Sequence, residues 1–156
     1  MNRLAGPVMA VIMGVLLAAC GPKDFYLRNV PIEKGVWPAD HFYRFEVPVR
    51  DTISSYNIFL QVRNEGRYAY SNLWLFIRTN SPTGAILRDT LECRLADEYG
   101  RWQGKGSGGR FGLEIPLRYR VRFPNPGIYV FEIDQGMRHT ELKYITDLGL
   151  RIEKDG

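Results

Sequence analysis

Cysteine and histidine are scarce in this chain. Among 156 residues there are two of each: Cys20 and Cys93, His41 and His139. A disulfide framework needs several cysteines, and a zinc site needs closely spaced Cys or His, so neither is encoded. Neither histidine stands beside a serine or cysteine. No Gly-x-Ser-x-Gly elbow occurs; the nearest serine, Ser107, has Lys105 where the first glycine must be. The acids are scattered, with no Asp-x-Asp-x-Asp-Gly calcium loop. No stretch keeps a 3.6-residue period, and no internal repeat is present. The formal charge of +4 is too small for a nucleic-acid footprint. These absences leave no catalytic, cofactor-binding or metal-binding residue to nominate. The chain reads as a non-enzyme with no cofactor and no nucleic-acid partner.

Long hydrophobic runs are also missing. The one uninterrupted stretch of small and apolar residues, Val8 to Ala19, is twelve long. That is too short to span a bilayer as a helix, and it suits the apolar region of a secretory signal. Arg3 precedes it and Leu17-Ala18-Ala19-Cys20 closes it. Small residues flank the bond to be cut, and Cys20 supplies a thiol for a thioether-linked lipid. Residues 1–19 are therefore expected to be a lipoprotein signal peptide and Cys20 the lipidation site. Two or more acyl chains give stable anchoring where one is marginal. The mature chain is then residues 20–156 with a formal charge of +3, since only Arg3 is lost. Cys93 is left without a partner, on the apolar alternation of Leu91-Glu92-Cys93-Arg94-Leu95, and is expected to be a buried small hydrophobe.

What the chain has in quantity is aromatics, 13% of residues, and period-two alternation. Residues 20–40 read as a lipidated tether and lead-in: Pro22, Pro31, Gly35 and Pro38 break helices, yet Phe25, Tyr26, Leu27 and Trp37 are too apolar for a free linker. The folded domain is expected over 41–156. Strands are predicted at Tyr43–Val49, where Pro48 marks an edge, at Tyr56–Val62, and at Leu73–Arg78, apolar enough to be covered on both faces. Others follow at Ala85–Leu95, Leu113–Phe123, Ile128–Ile133 and Leu148–Glu153. Asn125-Pro126-Gly127 predicts a hairpin between two of them. Residues 136–147 read as a loop. Seven or eight short strands punctuated by turns define an all-β, antiparallel β-sandwich, jelly-roll or immunoglobulin-like.

Two surfaces merit attention as possible interaction sites. Residues 97–112 hold six glycines around Arg101, Trp102 and Lys105. The run from Gly100 to Lys105 is one residue short of a phosphate-binding loop, and Gly106 stands where Ser or Thr must hold magnesium. Nucleotide binding is rejected. The loop reads either as a binding loop with an aromatic anchor and basic donors, or as a connection whose Trp102 packs on the core. The second surface is Arg118, Arg120 and Arg122, spaced to share one strand face: a basic stripe for an acidic partner, or an outer face paired with neighbouring acids. Trp102, Tyr99 and Trp74 are also candidates to stack on sugar rings, so a glycan-binding sandwich is the alternative function.

Several segments in order resemble one family. They are Tyr70-Ser71-Asn72-Leu73-Trp74-Leu75-Phe76-Ile77; Asp89-Thr90-Leu91-Glu92 leading to Leu95-Ala96-Asp97; Gly100-Arg101-Trp102-Gln103-Gly104-Lys105-Gly106; Gln135-Gly136-Met137-Arg138; and Asp147 to Lys154. Together with the Cys20 motif they resemble the GldH gliding-motility lipoproteins of Bacteroidetes, over Trp37 to Lys154. The resemblance implies a protein anchored by lipid in the cell envelope, at the outer membrane. It implies a non-catalytic accessory of gliding motility and type IX secretion, with other envelope proteins of that machinery as partners. It carries no catalytic residues. Such bacteria also glycosylate exported proteins at Asp-Ser/Thr before a small or apolar residue. Asp51-Thr52-Ile53 and Asp89-Thr90-Leu91 match, Thr52 being preferred because it lies in a turn.

Overall fold

The structure, a computed structural model, describes residues 24–156. The leader and Cys20 lie outside the described residues. Ten strands run in chain order: β1 Asp24–Pro31, β2 Val36–Pro38, β3 Tyr43–Val49, β4 Tyr56–Glu65, β5 Asn72–Asn80, β6 Ile86–Arg94, β7 Arg110–Val121, β8 Gly127–Gln135, β9 Glu141–Lys143 and β10 Ile145–Lys154. Eight are long; β2 and β9 have three residues each. A single 3-10 turn, Glu33–Gly35, links β1 to β2.

The pairing is nested. β1 pairs with β10, β2 with β9, β3 with β8, β4 with β7 and β5 with β6, all antiparallel. The chain is thus one long ribbon doubled back at the β5–β6 turn. Rolling that ribbon brings β10 against β4 and β8 against β5. The result is two four-stranded sheets, β1-β10-β4-β7 and β3-β8-β5-β6, with the short β2-β9 pair beside them. Two packed antiparallel sheets of this kind make a jelly-roll sandwich. Their inner faces meet in one core containing Phe45, Leu60, Leu75, Phe131, Leu148 and Leu150, none more than 1% exposed. One end of the sandwich carries Asp24, the loops 50–55, 81–85 and 122–126, and the C-terminus; we call it the Asp24 end. The opposite end carries residues 32–42, 66–71, 95–109 and 136–144.

The all-β expectation holds, with strands to spare. Residues 24–38 do not lead in to the sandwich; they supply β1 and β2. Their signal was masked because Phe25, Tyr26 and Val30 pack on the core from an edge strand, which alternates poorly. Leu142, fully buried, draws β9 out of the expected loop. The Asn125-Pro126-Gly127 turn is no hairpin: β7 and β8 lie in different sheets. Phe123 explains the crossing. It packs on Tyr56 and Tyr129, and the Tyr129 hydroxyl donates to Asn125 O at 3.0 Å and accepts from its N–H at 3.2 Å. The chain is held over the sandwich edge by that clasp. β5 is buried on one face only. Leu73, Leu75 and Ile77 point inward, while Trp74 and Phe76 are 39% and 49% exposed. A two-layer sandwich covers only the inner face of an internal strand, so a continuous apolar run here means aromatics facing out.

The alternation of β7 also breaks. Ile58 of β4 faces Arg118 and Phe59 faces Pro116, with Leu117 bulged between. Past the bulge the faces are exchanged. Tyr119 turns outward to meet Phe59 edge-on at 5.9 Å, and Arg118 turns toward the other sheet, where its Nε donates to Asp89 of β6 at 3.2 Å.

Arg151 ties three strands of the first sheet. Its guanidinium donates to Glu114 of β7 at 2.7 Å, Asp24 of β1 at 2.8 Å and Glu153 at 2.6 Å, and lies 4.4 Å over the Phe59 ring. Hydrogen bonds from Arg151 hold the Glu114 carboxyl below its usual range. A depressed carboxyl stabilises the fold above its unfolded pKa and loses that contribution as pH falls through the folded value. Arg151→Met should therefore cost about 2 kcal/mol, between an exposed pair and a buried one, read as a lower urea midpoint at pH 7. The same variant should show a flatter loss of stability below pH 4.5.

Candidate interaction surface

The segments Asn72–Ile77 and Gln135–Arg138, far apart in the chain, meet at one edge of the outer sheet face. Leu75 is in register with Gln135. The Gly136 N–H donates to Trp74 O at 2.7 Å, and the Trp74 N–H points at Met137 Sδ at 3.4 Å. Gln135 is a buried polar side chain, 5% exposed, and a buried amide needs partners. It has them in the turn that follows: its Nε2 donates to His139 O at 2.9 Å and its Oε1 accepts from Met137 N–H at 2.8 Å. Gly136 is required by proximity. A Cβ there would stand 3.0 Å from the Phe76 ring and 3.3 Å from Trp74 Cβ. The turn is thereby pressed against the two exposed rings.

Tyr70 extends the surface. Its hydroxyl is hydrogen-bonded to His139 Nε2, and the two rings lie 5.4 Å apart. Tyr68 supports it from below, with its hydroxyl donating to Asn72 O at 2.9 Å; burial pushes the Tyr68 phenol upward from its usual pKa, so it remains a donor. Asn72 opens β5. Its Nδ2 donates to Glu92 of β6 at 2.9 Å. Arg138 is exposed and makes no ion pair among the described residues. Beside this edge Tyr68, Tyr70, His139, Leu142 and Tyr144 line a shallow groove of about 260 Å³. Among the described residues no three of His, Cys, Asp and Glu gather as a metal group.

The glycine-rich loop is packed around Trp102, Gly104 and Gly106, while Gly100, Gly108 and Gly109 stand in open space. Trp102 is half-buried, bridges to Ala96 in strand fashion, and stacks with Phe111 at 6.0 Å. Lys105 pairs its backbone with Gly112 in both directions. A Cβ on Gly104 would sit 3.0 Å from the Gly112 backbone, and one on Gly106 would overlap Arg110 O. These glycines permit backbones to lie side by side. Arg101 is engaged with Asp97 at 2.7 Å and stacks on Tyr99. The Lys105 side chain borders a separate groove with Gln61, Arg63, Glu114 and Asp147. The arginine stripe is split: Arg118 spans the sheets to Asp89, Arg120 reaches Asp155 at 3.5 Å, and Arg122 lies beyond β7. Thr52 is half-buried in a turn held by Asp51, which accepts from Ile53 and Ser54 and from Lys154 at 2.7 Å. Thr90 is the more exposed of the two threonines, opposite Phe76. Cys93 is fully buried, and burial pushes its thiol up to about 12.

Fold and surface together define the class: a jelly-roll sandwich protein that presents an aromatic patch on one sheet. The description "GldH lipoprotein" belongs to a family model that matches residues 24–152, and the chain belongs to that family. It is 33% identical over 147 residues to the "Gliding motility lipoprotein GldH homolog" of Christiangramia forsetii, covering 90% of each chain. It is 28% identical over 159 residues to the "Gliding motility lipoprotein GldH" of Flavobacterium johnsoniae, covering 97% of this chain and 98% of the relative.

The segments that carry the family resemblance include Tyr70, Trp74, Phe76 and Met137, but sequence reasoning gave neither their meeting nor the part of His139. A glycine directly after a strand and next to a buried-type amide was the available signal. Gly136→Val should displace the Phe76 and Trp74 rings. The expected outcome is a changed near-ultraviolet circular dichroism spectrum and a loss of about 1–3 kcal/mol, while Gly84→Ala, in open space at positive φ, leaves that spectrum unchanged.

Proposed function

We propose that this chain is an envelope lipoprotein, held in the outer membrane through a lipid on Cys20, and that its sandwich is a non-catalytic interaction module of the gliding-motility and type IX secretion machinery. The observation that carries this reading is the convergence of Tyr70, Trp74, Phe76 and Met137 on one exposed edge, rigidly backed by Gln135. Solvent-facing aromatics held in place by a buried hydrogen-bonded support are what protein interfaces use as anchors. Family membership supports the gliding assignment, since both relatives carry that activity in their names.

Two experiments test the reading. Cys20→Ala in the native cell should yield protein that no longer partitions with membranes through a lipid; a variant that stays in the membrane fraction with normal precursor processing refutes the anchor. Crosslinking in the cell should capture envelope proteins with the wild-type chain. Trp74→Ser with Phe76→Ser, both on the outer face, should reduce that capture by about 30-fold or more if they act as anchors of ~2 kcal/mol, with a far-ultraviolet circular dichroism spectrum that shows the sandwich still folded. The exposure of Trp74 and Tyr99 also favours the glycan alternative: retention on a glycan array that is lost in Trp74→Ser, with capture of proteins intact, would select it. Modification at Thr52 predicts a lower intact mass for Thr52→Ala than the residue change accounts for.

A further inference from the structure

The two ends of the sandwich differ in a way that the family reading does not address. Charge is the first difference. At the Asp24 end every acid is engaged: Asp24 and Glu153 with Arg151, Asp51 with Lys154, Asp89 with Arg118, Asp155 with Arg120. Arg50, Arg88 and Arg122, at the same end, have no ion-pair partner among the described residues. At the opposite end the uncommitted bases Lys34, Lys105, Arg110, Arg138 and Lys143 are matched by the uncommitted acids Glu33, Asp40, Glu98, Asp134 and Glu141. Because Arg151 serves both Asp24 and Glu153, the side chains at the Asp24 end carry a surplus of two positive charges, seven bases against five acids, while those at the opposite end balance.

The kind of hydrophobic exposure is the second difference: at the opposite end the exposed large side chains Phe42, Tyr70 and Tyr99 are aromatic, and at the Asp24 end they are aliphatic. Ile53 at the tip of the 50–55 loop is 83% exposed, and Ile86 and Ile128, the residues at or next to the start of β6 and β8, are each 52% exposed. Ile86 and Arg122 also border the mouth of an apolar cleft of about 380 Å³ between the sheets, lined by Leu117, Val121 and Phe131.

The third observation is where the chain comes in. Asp24 is in register with Glu153, beside Asn57 and Tyr56 and, across the sheet, Val121. It therefore stands at this same end. Cys20 precedes Asp24 by four residues, so its Cα lies within about 14 Å of it whatever path the chain takes. β4, ten residues long, spans about 30 Å to the opposite end.

From these we infer that the Asp24 end of the sandwich docks on an anionic lipid surface, with Ile53, Ile86 and Ile128 entering the headgroup layer and Arg50, Arg88 and Arg122 pairing with lipid phosphates. The lipid surface is the one occupant that satisfies all three features. A short tether brings it within reach, anionic headgroups match the unpaired arginines, and acyl chains receive aliphatic tips. The Trp74–Met137 patch, in the half of the molecule away from this end, then faces away from the bilayer, where a protein partner has access.

This inference rests on Cys20 being the anchor, and the test separates the two. The lipidated full-length protein is reconstituted into phosphatidylcholine vesicles with and without phosphatidylglycerol, some bearing brominated acyl chains. A fluorophore is placed by Ile53→Cys, Ile128→Cys or Tyr99→Cys; Cys20 is blocked by its lipid and Cys93 is buried and poorly ionised, so labelling is confined to the new thiol. The expected result is quenching at positions 53 and 128 several-fold stronger than at position 99, greater in the anionic vesicles. Combined Arg50→Gln, Arg88→Gln and Arg122→Gln should weaken the quenching by roughly 100-fold in docking equilibrium, about fivefold per arginine. Anchored protein with equal quenching at all three positions overturns the docking and leaves the anchor intact. Protein that fails to enter the vesicles overturns both.

Discussion

The pairing of the first described strand with the last is the constraint on which the rest of the structure depends. β1 lies on β10, and β10 lies on β4, so the first sheet is incomplete until the C-terminal strand is in place. Contacts of such sequence separation carry a closure entropy that must be met by burial. Here the burial is supplied by Leu148, Leu150 and Ile152 on the inner face of β10. The Arg151 cluster on its outer face adds electrostatic links to β1 and β7. Gly149 fits the same scheme, since a Cβ there would overlap the Asn29 side chain on β1. β10 is thus shaped by its neighbours on both sides and both faces.

That constraint also orders the surface. Nested pairing brings the N-terminal side of the chain to one end of the sandwich and sends the β2–β9 pair and the 136–144 turn to the other. Asp24 and the aromatic patch consequently belong to different halves of the molecule.

Side-chain chemistry at the patch follows from two-layer architecture. An internal strand of a sandwich has one buried face, and whatever the sequence places on the other is presented to solvent. Trp74 and Phe76 are such residues, and their orientation is locked by Gly136 below and by the hydrogen bonds of Gln135. The glycine-rich loop behaves oppositely. Its composition reads as openness, yet Gly104 and Gly106 serve close backbone packing, and Trp102 closes over Phe111. Glycine content alone does not distinguish a loop that moves from one that is tightly packed.

Local pattern was sufficient for strands whose side chains alternate between core and water. β3, β4 and β8 were legible for that reason, as was the burial of Cys93, and ordered segments were enough to reveal the family. The tertiary structure alone decided three things. An edge strand such as β1 alternates weakly because only part of one face is covered, so its place in the sheet depends on β10, over a hundred residues away. The bulge at Leu117 turns Arg118 toward the other sheet, and a second irregularity at Arg120, where φ is positive, separates the two arginines despite their even spacing. The meeting of Trp74 with Gly136 depends on which strands become neighbours when the ribbon rolls. Period-two pattern determines which side of a strand is buried; neighbourhood is set by long-range packing, and the sites of this protein are made of neighbours.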